Sequence, residues 1–141
     1  MSLTIAQARD EMLTLVKDAI DASSYSSMPL VWDDSPGAPP ESSNDEYMRV
    51  RVNHLFGGQT SLGKPRARFT RRGTIRCEIY TRRGSGMSVA DEIAQIVLDA
   101  FEGQSSPGGV WFRNATPQER GQDGVWTRTD VVIEFTYDES K

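Results

Sequence analysis

The sequence predicts an α+β domain, with a mixed, largely antiparallel β-sheet of four to five strands and two helices packed on one face. Three observations predict it. Two segments carry apolar residues at helical spacing. Others alternate strictly between apolar and polar residues, as half-buried strands do. The segments follow one another as helix, three strands, helix and two strands, and 141 residues suit a single core.

The first helix begins at Thr4. Gln7 lies at capping-box spacing from it, and Leu3 is placed as a staple. Ile5, Ala8, Met12, Leu15, Val16, Ala19 and Ile20 form its apolar stripe, and the helix ends near Ser23 and Ser24. Residues 29–32 make a short strand. Residues 33–46 hold three prolines and five acids, among them Asp33, Asp34, Asp45 and Glu46, and read as an acidic loop, either plainly solvated or with an interface role on assembly.

Residues 47–54 alternate, with Met48, Val50 and Val52 on the apolar face. Residues 55–72 lack periodicity and read as an extended arm joining this strand to the next, carrying Leu55, Phe56, Leu62 and Phe69. Residues 74–81 alternate again, with Ile75, Cys77 and Ile79 inward. Gly84 and Gly86 then break the chain, and Ser88 is placed to cap a second helix, 88–101. Val89, Ile93, Ile96, Val97, Ala100 and Phe101 are its stripe. Residues 110–113 predict a short strand, 115–124 a polar connection, and 125–137 a long last strand with a polar tail. The helix-free face would carry Arg49, Arg51, Arg76, Glu78, Arg128 and Glu134.

Bulk properties exclude several functions. The net charge of −4 and pI near 5.0 give no argument for nucleic-acid binding by the chain as a whole. One cysteine precludes an internal disulfide. The start lacks the pattern of a signal peptide, and no apolar run reaches membrane-span length, so synthesis in the cytosol is expected.

Enzymatic motifs fail one by one. Gly58 to Lys64 has phosphate-loop spacing, but Pro65 stands where a hydroxyl must hold magnesium, and no helix pattern follows. Gly84 and Gly86 belong to no complete dinucleotide fingerprint and read as a structural turn. His54 and Cys77 are the only residues of their kinds, too few for a metal cluster. Ser61 near His54 lacks a nucleophile setting. No enzyme, cofactor or metal is expected.

The charge pattern is more informative. Lys64, Arg66, Arg68, Arg71, Arg72, Arg76, Arg82 and Arg83 face only Glu78 between residues 64 and 83. Guanidinium groups favour carboxylates and phosphates. An ordinary solvated basic patch is one reading; of the functional ones, an acidic protein neighbour, including another copy of this acidic chain, is the simpler partner, and nucleic-acid backbone is the alternative. Lys64, Arg66, Arg68, Phe69, Arg71, Arg72, Arg82 and Arg83 are therefore the candidate interface residues, and Asp33, Asp34, Asp45 and Glu46 the candidate acidic loop.

A family pattern also runs through the chain. An N-terminal helix precedes Leu30-Val-Trp-Asp-Asp34 and the Pro-rich loop. Tyr47-Met-Arg-Val-Arg-Val52, Leu62-Gly63 and Arg72 to Tyr80 follow. Gly84 to Asp91 opens the second helix, and Gly124 to Tyr137 ends the pattern. In this the sequence resembles the tail terminator proteins of long-tailed bacteriophages, of the lambda-like minor tail protein U type. The resemblance implies a small α+β domain and a structural, non-enzymatic role. It implies a homohexameric ring that caps the tail tube, stops its polymerisation and offers a docking surface to the head connector. The implied partners are other copies, the tail tube protein and the connector or head-completion protein, with genome DNA passing through the lumen unread. The implied place is the neck of the virion, after assembly in the host cytoplasm. A head-completion or connector protein of the same neck, and a small nucleic-acid-binding protein using residues 64–83, are the alternatives.

Overall fold

The computed structural model describes residues 3–32, 46–61, 67–82 and 87–140. Most of the acidic loop, the arm tip with Lys64 and Arg66, and the Gly84–Gly86 turn with Arg83 lie outside them.

Among the described residues, seven elements follow in the expected order: α1 (Ile5–Asp21), β1 (Leu30–Trp32), β2 (Glu46–Gln59), β3 (Arg68–Arg82), α2 (Ser88–Phe101), β4 (Trp111–Asp123) and β5 (Trp126–Ser140). The strands form one sheet in the order β1-β2-β3-β5-β4. Only β1 against β2 is parallel. Both helices cover one face. Met12, Val16 and Ile20 of α1, with Ile93, Val97 and Phe101 of α2, close over Met48, Val50, Ile75, Cys77, Ile79, Val131, Ile133 and Phe135. Burial of such side chains contributes about 1.5–3 kcal/mol each.

Local chemistry explains the helix starts. Thr4 accepts from the Gln7 backbone N–H while the Gln7 side chain accepts from the Thr4 N–H, closing the capping box. Ile5, counted in the apolar stripe, is instead 46% exposed at the first turn. For α2 the cap differs from the reading. Met87 is the N-cap, with no side-chain cap bond, and Ser88 is already helical. Asp91 in the first turn supplies the favourable charge instead.

The strands are longer than alternation suggested. β2 and β3 continue as a paired hairpin to Gln59 and Phe69, well into the segment read as an arm. A register shift between His54 and Phe56 throws the alternation out of phase, which hid the strand. β5 runs through the supposed tail to Ser140.

β4 departs furthest from the sequence pattern, which predicts a polar connection over residues 115–124, whereas all but the last of these form most of a strand. Pro117 and two register shifts disguised it. As the outermost strand β4 tolerates a proline, which cannot donate a ladder hydrogen bond. Asn114 (φ 54°) and Gly121 (φ 85°) sit at the shifts, where left-handed backbone suits Asn and Gly.

Candidate functional site

The two faces of the sheet have opposite characters. Alternation along β3 sends Arg68, Arg72, Arg76, Glu78, Tyr80 and Arg82 away from the helices. Register then sets them beside Ser140, Thr136, Val132, Asp130, Arg128 and Trp126 of β5. The helix-free face is therefore a field of arginines with few acids between them.

Its centre is an ion cluster. Asp130 is fully buried and accepts from Arg76 (2.7 Å), Arg128 (2.8 Å) and Arg120 (3.2 Å). Glu78, also buried, lies 3.2 Å from Arg51 and 3.3 Å from Arg128 and accepts from the Tyr80 hydroxyl at 3.0 Å. Burial alone would raise the Asp130 pKa, but bonds from Arg128, Arg76 and Arg120 overcome it and hold the carboxyl below its ordinary value. The Asp130 bond raises the Arg128 pKa in return. Two acids buried among four arginines leave the cluster positive.

Beside it lies an aromatic cluster. Tyr47 and Tyr80 stack with centroids 4.5 Å apart, and Trp126 meets Tyr47 edge-on at 5.0 Å. Arg128 lies over Tyr80, and Arg82 over Trp126. Burial, with Glu78 adding, pushes the Tyr80 hydroxyl pKa up to about 12.

The basic segment does not form one patch. Arg82 and Arg72 lie at opposite ends of β3, roughly 33 Å apart at strand rise. Neighbours also diverge. Arg71 turns to the helix side, bonding Glu139 at 3.1 Å with both groups mostly buried, and crosses the half-buried Phe69 ring. Arg72 turns to the open face over the Phe56 ring. Arg68 meets Asp138 at 4.0 Å in an exposed pair worth little. Glu46 pairs in register with Thr81, at the Arg82 end. Asp33, Asp34, Asp45, Lys64, Arg66 and Arg83 lie outside the described residues.

Sequence reasoning placed Arg51, Arg76, Glu78 and Arg128 on this face but missed the burial of Asp130 and the role of Arg120. Alternation puts Glu78 and Asp130 each on a polar strand face, but only the register of β3 on β5 sets the two acids side by side, where they demand cations. Arg120 was hidden in the supposed connection.

The helix side of the arm base holds His54. Its Nε2 lies 2.7 Å from the Tyr137 hydroxyl. Its buried Nδ1 has no partner among the described residues. Burial, then Arg9 and Arg71, lowers its pKa. Ser61 is occupied elsewhere, its hydroxyl accepting from the Arg68 N–H, so the structure does not assemble a His–Ser pair. Among the described residues, no three His, Cys, Asp or Glu side chains cluster as metal ligands.

The sequence matches no protein-family profile and no curated protein. Solved structures do match. One, from a protein known only by a sequence label, is 16% identical, covers 96% of both chains and superposes with a TM-score of 0.72. Another is a chain of the virion of a native gene transfer agent particle. It is 19% identical, covers 96% of this chain and 99% of its own, and has a TM-score of 0.59. The fold is one found in a virion. At such identities the likeness establishes fold, and it spans nearly the full length of both chains. The α+β architecture, two helices on a mixed sheet, is thus structurally related to that of a virion component.

Proposed function

We propose that this chain is a tail terminator: a structural virion protein whose copies close into a hexameric ring on the tail tube, stop its growth and present the surface to which the head connector docks. The observation that carries the reading is the full-length likeness to a chain of a gene transfer agent virion, on the fold that the tail-terminator resemblance implies. The surface is consistent with it. The described residues expose a positive sheet face, while α2 carries Asp91, Glu92 and Asp99 and no base. Oppositely charged faces on one protomer favour head-to-tail contact between copies, the geometry from which rings close.

In this reading the protein does no chemistry. One ring face mates with the last tube ring, and the other refuses further tube subunits through mismatched shape and charge. Its place is the top of the tail, with DNA in the lumen. The deciding experiment is deletion of the gene from its phage, followed by electron microscopy of the lysate. Overlong tails without heads are expected. Tails of normal length that lack heads would point to a head-completion protein instead, and normal tails joined to heads would overturn both readings.

A further inference from the structure

One row of side chains crosses the helix-free face at the arm end of the sheet. Phe56 is the register partner of Arg72, Arg72 of Thr136, and Thr136 of Trp111. All four point away from the helices. Arg72 covers Phe56, Thr136 lies between the inward Phe135 and Tyr137, and Trp111 precedes Phe112, which packs inward on Phe101. Trp111 is 71% exposed and Phe56 56%. Arg113, two residues beyond Trp111 on the same face, is exposed opposite its register partner Glu134, and neither it nor Arg72 closes an ion pair within 4 Å among the described residues.

On the helix side of the molecule, α1 borders a groove of about 210 Å³ lined by Asp10, Glu11, Thr14, Leu15, Asp18 and Pro107. Leu15 and Pro107 give it an apolar wall. Glu11 accepts from the Gly108 N–H at 2.7 Å and fixes the turn that forms one side. Asp10 and Asp18 are exposed and form no ion pair among the described residues.

We infer that the Trp111 corner of one copy docks in the α1 groove of the next, with Arg72 and Arg113 against Asp10 and Asp18. The spacings agree. Two strand separations across and two residues along place Arg72 and Arg113 about 12 Å apart at the backbone. Eight helical residues place Asp10 and Asp18 about 12 Å apart. Trp111 supplies the kind of aromatic anchor that dominates such contacts, ringed by charges that set register. The two surfaces differ, so the contact is heterologous and propagates from copy to copy. This deepens the ring reading and rests on it.

The test uses two full-length double variants, Arg72→Glu with Arg113→Glu, and Asp10→Arg with Asp18→Arg. Association is measured by sedimentation at low salt, and capping of isolated tails by electron microscopy. Each variant alone repels its own copies and should associate about tenfold or more weakly than the parent. An equal mixture restores opposite charges at every contact, so parent-level association and capping should return in alternating rings. Trp111→Ala should weaken association without changing the charge, and unchanged circular dichroism and melting would show that it folds. Parent-level association of either charge variant alone, or no recovery in the mixture, overturns the contact. A parent protein that never caps tails removes the ring reading, whereas capping by the parent and by both separate variants removes only this contact. Loss of duplex DNA binding with self-association intact in the Arg72/Arg113 variant would assign the row to nucleic acid and overturn the inference.

Discussion

Asp130 shows how much one buried residue decides. Its carboxylate has no exposure and three arginines for neighbours, whose side chains remain 28–47% exposed. Removing one partner of a buried pair generally costs about 3–5 kcal/mol. Because the guanidiniums can rehydrate, Asp130→Asn should fall near the lower end, about 3 kcal/mol, in urea denaturation. The same carboxyl titrates below its ordinary 3.8 in the folded state. Its contribution is therefore complete above that value and is lost as pH falls through the lower folded pKa. His54 acts in a higher window. Its folded pKa lies below the ordinary 6.5, so the unfolded chain binds its proton first. Stability from His54 is complete above pH 6.5 and declines as pH falls. His54→Gln should flatten the urea midpoint between pH 7.5 and 5.5 relative to the parent. Neither effect was legible in the sequence, because an alternating strand reveals which face a residue shares but not what crosses from the next strand to bury it.

At the scale of elements, the helices were the most legible parts, since capping and apolar stripes are local signals. Thr4→Ala should cost about 1 kcal/mol, the usual value of an N-cap, read from thermal melting. The long strands were less legible because their irregularities interrupt the period that reveals them: the shift after His54, the left-handed Asn114, Pro117 on an outer edge. Gly73 illustrates the opposite case, a residue whose placement only the fold explains. A Cβ there would meet the Asn53 carbonyl oxygen and the Phe135 ring. Gly73→Ala should therefore destabilise by about 1–3 kcal/mol, the cost of overpacking. The same substitution at Gly103, with open space around it but φ of 69°, should show only the smaller strain of a positive φ.

At the scale of the whole molecule, the charges are segregated by layer. The chain is acidic in sum, yet its sheet face is rich in arginine and its helices in carboxylate. The sequence located a basic interval correctly but treated it as one surface, whereas strand alternation divides it between two faces and strand length between two ends. Self-association through the opposed faces should weaken steeply as salt rises from 0.05 to 0.5 M on the scale of the Debye length, from roughly 14 to 4 Å, as measured by sedimentation. Unchanged association across that range would mean that apolar contact alone holds the copies together.

The order of the strands has a temporal side. β5 follows every other element in the chain, yet it lies inside the sheet, between β3 and β4. During synthesis β1, β2, β3 and both helices can gather while the partner positions for β3 and β4 stand vacant. The layer that carries Asp130, Arg128 and the Thr136 bridge to Trp111 is laid down last. On the proposed ring reading, an unfinished polypeptide on the ribosome lacks the finished sheet face, and copies should join one another only once translation has passed β5.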